Sequence, residues 1–130
     1  MAIYVLKPFD RNLKNDNIDD VKLCQAAKEV MAGNYEASLG GNVYKKRIPL
    51  NAGKSGGARA VVAFRSGGNL FFVNGYPKSG TKGSGKEIPD DVLEAYKKVA
   101  ADLQAMTPEK IKAAKDAGKM REVKCDDRSS

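Results

Sequence analysis

With 130 residues the chain is long enough for one hydrophobic core, and it contains no His, which removes Ser-His-Asp and Cys-His nucleophilic sites, the usual zinc sites and paired-His ribonuclease chemistry. Hydrophobic residues make up 42% and charged residues 30%, the balance of a folded domain rather than a disordered tail, and the longest apolar runs are too short to span a membrane. The formal charge of +7 is segregated: residues 37 to 86 hold nine Lys or Arg and no Asp or Glu, while the other fourteen basic residues face all sixteen acidic ones, a pattern that points to a polyanionic partner.

Taken in chain order, Ile3 to Leu6 reads as an opening strand and Phe9 to Lys14 as a short helix. From Asp19, placed as an N-cap, the residues Val21, Leu23, Cys24, Ala27, Val30 and Met31 recur at three- and four-residue spacing and stop at Gly33. Residues 7–34 are therefore expected to be helical. Two Cys more than a hundred positions apart set no disulfide framework, and Cys24 reads as a small core residue and Cys125 as part of a polar tail. The N-terminus, MAIYVLKPFD, lacks the layout of a signal peptide, so a cytoplasmic location is expected.

The segments VYKKRIPL, ARAVVAFR and LFFVNGY are short, rich in β-branched and aromatic residues and bounded by Gly, Asn and Ser, which predicts strands across 43–76. Ser66 to Asn69 forms the turn of an antiparallel hairpin. The strand period of two puts Arg59, Val61, Ala63 and Arg65 on one face and Ala60, Val62 and Phe64 on the other, taken as the core face. By the same rule Lys45 and Arg47 point together, with Lys46 opposite them beside Tyr44 and Ile48. Residues 78–86, KSGTKGSGK, read as a flexible basic loop. Residues 88–118 return to helix: Pro89, Asp90 and Asp91 suit a helix start, Val92, Tyr96, Val99 and Leu103 form a stripe, and Thr107-Pro108-Glu109 opens a second helix ending at Gly118. Met120 to Cys125 adds a short terminal strand. The expectation is a single α/β domain over residues 1–130.

Gly53-Lys54-Ser55 imitates the end of a phosphate-binding P-loop, but that motif requires a Gly where this chain has Ile48 and a helix where it has a strand. The basic constellation is more specific. Lys45 and Arg47 on one strand, Arg59 opening the next and Lys78 after the third can converge if the strands are neighbours, with Arg supplying a planar fork for phosphate oxygens and Lys a point charge. Lys46, Lys54, Arg65, Tyr76, Lys82 and Lys86 are the wider candidate contacts to a nucleic acid.

The stretch GKSGGARAVVAFRSGGNLFFVNGYPK, preceded by LGGNVYKKRIPL, resembles the RelE-type toxins of bacterial type II toxin-antitoxin systems, in particular the subgroup close to HigB and to phage-derived toxin-like proteins. The resemblance implies N-terminal helices packed on a twisted, mostly antiparallel sheet, here with extra C-terminal helices. It implies a ribosome-dependent mRNA endonuclease that needs no metal and no cofactor. It further implies an antitoxin partner, usually of helix-turn-helix type, through which alone operator DNA would be reached, with no membrane involved. Carried onto this chain, the catalytic set is Lys45 as general base, Arg47 as substrate positioner, Arg59 as phosphate stabiliser and Lys78 at the leaving oxygen. Relatives often place an Asn-Ile pair before the helix that follows the last strand, where this chain has Glu87-Ile88. Two other activities occur or are conceivable on this fold: gyrase inhibition, as in the ParE group, and RNA binding without cleavage.

Overall fold

The computed structural model describes residues 2–14, 18–49, 57–77 and 88–125. Its elements run β1 (Ile3–Leu6), α1 (Lys7–Leu13), α2 (Asp20–Met31), β2 (Ala37–Gly40), β3 (Val43–Pro49), β4 (Gly57–Phe64), β5 (Leu70–Pro77), α3 (Asp90–Gln104), α4 (Pro108–Asp116) and β6 (Met120–Val123). The strands form one sheet in the order β2-β3-β4-β5-β1-β6. All neighbours are antiparallel except β1 and β5, which run parallel.

Local chemistry accounts for the helix starts. The Asp19 side chain accepts a hydrogen bond from the Lys22 backbone N–H at 2.9 Å, satisfying one of the orphan donors of α2. Thr107 does the same for α4 through the Lys110 N–H at 3.2 Å, with Pro108 in the first turn, where its missing N–H costs nothing. Val21 and Val92, expected in the apolar stripes, are exposed, each in the first turn of its helix.

The sheet has helices on both sides, and this corrects the expectation of one core face. On one side Phe9, Leu13, Leu23, Ala27 and Val30 of α1 and α2 pack against Val5, Ile48, Ala60, Val62 and Phe72. On the other, Ala100 and Leu103 of α3 and Ile111 of α4 cover Tyr4, Val43, Val61, Ala63 and Phe71. Val61 and Ala63, on the face expected to be open, are as fully buried as Val62, because α3 and α4 return across it.

The C-terminal strand was expected, its consequence was not. β6 pairs with β1, and the Arg121 guanidinium reaches Asp10 at 2.7 and 3.0 Å and Asp20 at 3.2 Å, fastening the edge strand to α1 and α2. Just beyond it, Cys125 is joined to Cys24 of α2 in a disulfide, with Cα atoms 5.8 Å apart and 101 positions between them. Separation along the chain therefore misled, since topology returns the tail to the helix carrying Cys24. No helix among the described residues is long and apolar enough to cross a membrane.

Candidate functional site

Strand register builds the site. Arg47 of β3 lies directly opposite Arg59 of β4, and Arg59 lies opposite Tyr76 of β5, so three neighbouring strands contribute one transverse row. One step along, Lys45 pairs with Val61, and Val61 with Asn74. Further in the same direction, the face disappears beneath α3 at Val43, Ala63 and Phe71. The basic row thus occupies the end of the face that remains accessible: Arg47 is exposed, and Lys45, Arg59 and Tyr76 are half-buried.

A break in the alternation makes this row possible. From Phe71, strict alternation would place Val73 and Gly75 on the α3 face and turn Tyr76 to the opposite one. The register shifts between Val61 and Val62, which pair with Asn74 and Phe72 respectively, leaving Val73 as the extra residue of a β-bulge. Beyond the bulge the parity is reversed, and Tyr76 comes to stand beside Arg59. Asn74 secures this segment: its amide donates to the Tyr96 hydroxyl of α3 at 3.0 Å, and its carbonyl oxygen accepts from Asn12 of α1 at 2.8 Å and from the Gly75 N–H at 2.9 Å. Burial raises the Tyr76 phenol above its ordinary value, Tyr96 adds to the rise and the Arg59 guanidinium opposes it, so Tyr76 keeps its proton at neutral pH.

A 240 Å³ pocket opens at the basic row, lined by Glu36, Ala37, Lys45, Lys46, Arg47 and Arg59. Lys46 borders the pocket while its ammonium is engaged by Glu29; the other three cations, two of them guanidinium groups on adjacent strands, are suited to a phosphate and to charge developing on it.

A family model described as the RelE toxin of the RelE/RelB toxin-antitoxin system matches residues 1–123. The chain belongs to the RelE toxin family. Comparison with curated proteins gives no significant match, and neither does comparison with solved structures.

Within this RelE toxin the candidate residues separate into groups. Lys45, Arg47, Arg59 and Tyr76 share one face. Lys46 points to the other, as strand parity required, and does not join them: it is 8% exposed, with its ammonium 2.7 Å from Glu29 Oε1 and donating to the Asn34 carbonyl at 3.1 Å. Its partner Glu29 is held below the ordinary carboxylate range, first by the hydrogen bond from Lys46 and then by that from Gln25. Arg65 is exposed beyond the end of β4, six residues or about 20 Å of strand from Arg59, and stands apart from the pocket. Lys54, Lys78, Lys82 and Lys86 lie outside the described residues.

Sequence reasoning overlooked Glu36, the acidic residue immediately before the acid-free segment. It lines the pocket because β2 adds an edge strand to β3, and Ala-Ser-Leu-Gly is too short and too glycine-bounded to announce a strand.

Proposed function

We propose that this RelE toxin is an endoribonuclease that cleaves messenger RNA in the ribosomal A site and thereby stops translation. The observation that carries this reading is the Arg47–Arg59–Tyr76 row across three strands, with Lys45 beside it at the edge of a 240 Å³ pocket. The ribose 2′-oxygen attacks the adjacent phosphorus while the bond to the 5′-oxygen breaks, leaving a 2′,3′-cyclic phosphate and a 5′-hydroxyl. Arg59 and Lys45 stabilise the charge that grows on the non-bridging oxygens, Arg47 holds the backbone of the strand, and Lys78 serves the leaving oxygen. Tyr76 offers a ring against a base and a hydroxyl donor near the phosphate. The site itself does little to bind a flexible single strand in one geometry, and the ribosome supplies that order to the messenger. The partner that restrains the toxin is a RelB-like antitoxin, of helix-turn-helix type in this subgroup, and the place of action is the cytoplasm, where translation occurs.

The test is induced expression of the chain and of an Arg59→Ala, Lys45→Ala variant in bacteria, following growth, protein synthesis and messenger 5′ ends together. Rapid arrest with new cleavage sites inside reading frames, absent in the variant, is the expected result. Arrest without cleavage, or arrest that survives both substitutions, overturns the reading and favours a gyrase-directed toxin or one that binds RNA without cutting it.

A further inference from the structure

We propose that the carboxylate of Glu36 is the general base that takes the proton from the attacking 2′-hydroxyl, a role inside the nuclease reading above and resting on it. Among the described residues, Glu36 is the only acidic one lining the pocket that holds Lys45, Arg47 and Arg59. Its backbone N–H donates to the Lys45 carbonyl at 2.9 Å, and its Oε1 accepts from the Arg47 N–H at 2.7 Å, so one oxygen is fixed against the strand that carries two of the three cations. The second oxygen has no partner among the described residues. A carboxylate held in this way presents one free lone-pair edge, at a constant place, in a site otherwise built of donors.

The segment that delivers it is fastened from behind. The Asn34 N–H donates to the Glu29 carbonyl at 2.7 Å, Lys46 bridges the Asn34 carbonyl and the Glu29 carboxylate, and the Tyr35 ring packs 4.5 Å from that of Tyr44. Asn34 and Tyr35 are thereby tied to the α2 side of the sheet, and Glu36, next in the chain, is carried to the pocket side. Lys46, buried on the wrong face to touch RNA, acquires a purpose as the anchor of this connection.

The chemistry divides accordingly. The cations act on the phosphate oxygens, and the proton goes to the carboxylate, the one acidic side chain among the described lining residues. The step balances with only solvent water besides: the 2′-oxygen–phosphorus bond forms, the phosphorus–5′-oxygen bond breaks, Glu36 gains the 2′ proton, and the departing 5′-oxygen takes a proton from water, the hydroxide left behind being neutralised when Glu36 returns its proton to solvent. This relocates the base from Lys45, the position implied by family resemblance, and leaves Lys45 as a positive charge on the phosphate.

Glu36→Gln tests the assignment, because the amide oxygen still accepts the Arg47 N–H while basicity is lost. With programmed ribosomes under single-turnover conditions, the variant is expected to cut at least about a hundredfold more slowly. Affinity for the same complex carrying a 2′-deoxy, uncleavable codon should stay within about twofold of wild type. Glu36→Asp should recover part of the lost rate. A messenger with a sulfur in place of the 5′ leaving oxygen should leave the Glu36→Gln defect in place, since an activated leaving group does not replace a missing base. Cleavage by Glu36→Gln at the wild-type rate, or a loss confined to affinity, overturns the assignment and reduces Glu36 to a closure of the strand ladder. Failure of the wild-type protein itself to cut RNA defeats the parent reading, and this one with it.

Discussion

Lys45, Lys46 and Arg47 are consecutive, chemically similar and engaged in different work. Strand alternation sends Lys45 and Arg47 to the pocket and Lys46 to a 2.7 Å ion pair with Glu29. Removing the ammonium strands the Asn34 carbonyl and releases a carboxylate that is one-third exposed and can rehydrate, so Lys46→Met should cost about 1–2 kcal/mol at pH 7 in urea unfolding. The pH dependence follows from the lowered titration of Glu29. A carboxylate with a depressed folded value stabilises above its ordinary value of 4.5, and that stabilisation is lost as pH falls through the folded value. The difference between wild type and Lys46→Met should therefore shrink as pH falls from 4.5 through the lowered folded value, and a constant gap across that range would refute the ion-pair account. On the proposed nuclease reading, Lys45, Arg47 and Arg59 at the pocket should each contribute to a salt-dependent affinity for RNA. Replacing any one by Ala should reduce the slope of log K against log salt by about 0.7 for a single-stranded, uncleavable RNA, whereas Arg65→Ala, away from the cluster, should change it less.

At the scale of elements, two irregularities shape the site. The bulge at Val73 reverses the parity of β5 and delivers Tyr76 to the basic face. Immediately after it, Gly75 lies against α1, where an added Cβ would fall 2.5 Å from Leu13 and 3.0 Å from Phe9, both buried. Gly75→Ala is thus expected to overpack the α1–β5 contact and destabilise by about 1–3 kcal/mol in thermal or urea unfolding, with Tyr76 moved from Arg59 and cleavage reduced as well. Full stability in that variant would mean that α1 can shift without cost. The three middle strands, the hairpin and the capped helices were legible because each is written in a window of about ten residues. The bulge was not, since LFFVNGY reads equally well in either parity and only the pairing with β4 selects one. The strand β2 was hidden for a related reason: its four residues acquire strand geometry from β3 rather than from their own propensity.

For the whole molecule, the disulfide closes a loop of about a hundred residues, linking the strand at one sheet edge to α2. Chain-entropy arguments give such a loop an upper value near 4.7 kcal/mol, and roughly 2–4 kcal/mol is the usual return. Cys24→Ala with Cys125→Ala should lower the thermal midpoint by about 5–15 °C. None of the described residues lining the pocket belongs to α2, so cleavage at moderate temperature should persist in the double variant. Equal midpoints for oxidised, reduced and Cys-free protein would show that the bond contributes nothing. In a reducing cytoplasm the two residues would exist as thiols in contact, with β6 held by its ladder to β1 and by Arg121 on Asp10 and Asp20.

The chain by itself determined the helix caps, the β-rich middle, the basic segment and the pairing of Lys45 with Arg47 on one face against Lys46 on the other, because periodicity, capping and charge are properties of neighbouring residues. Membership of the RelE toxin family was legible for the same reason, in contiguous motifs. Tertiary structure alone decided that both sheet faces are covered, that Tyr76 stands beside Arg59, that Glu36 enters the pocket and that Cys24 meets Cys125. Each of these depends on which distant segment lies alongside, and local pattern carries no record of that choice.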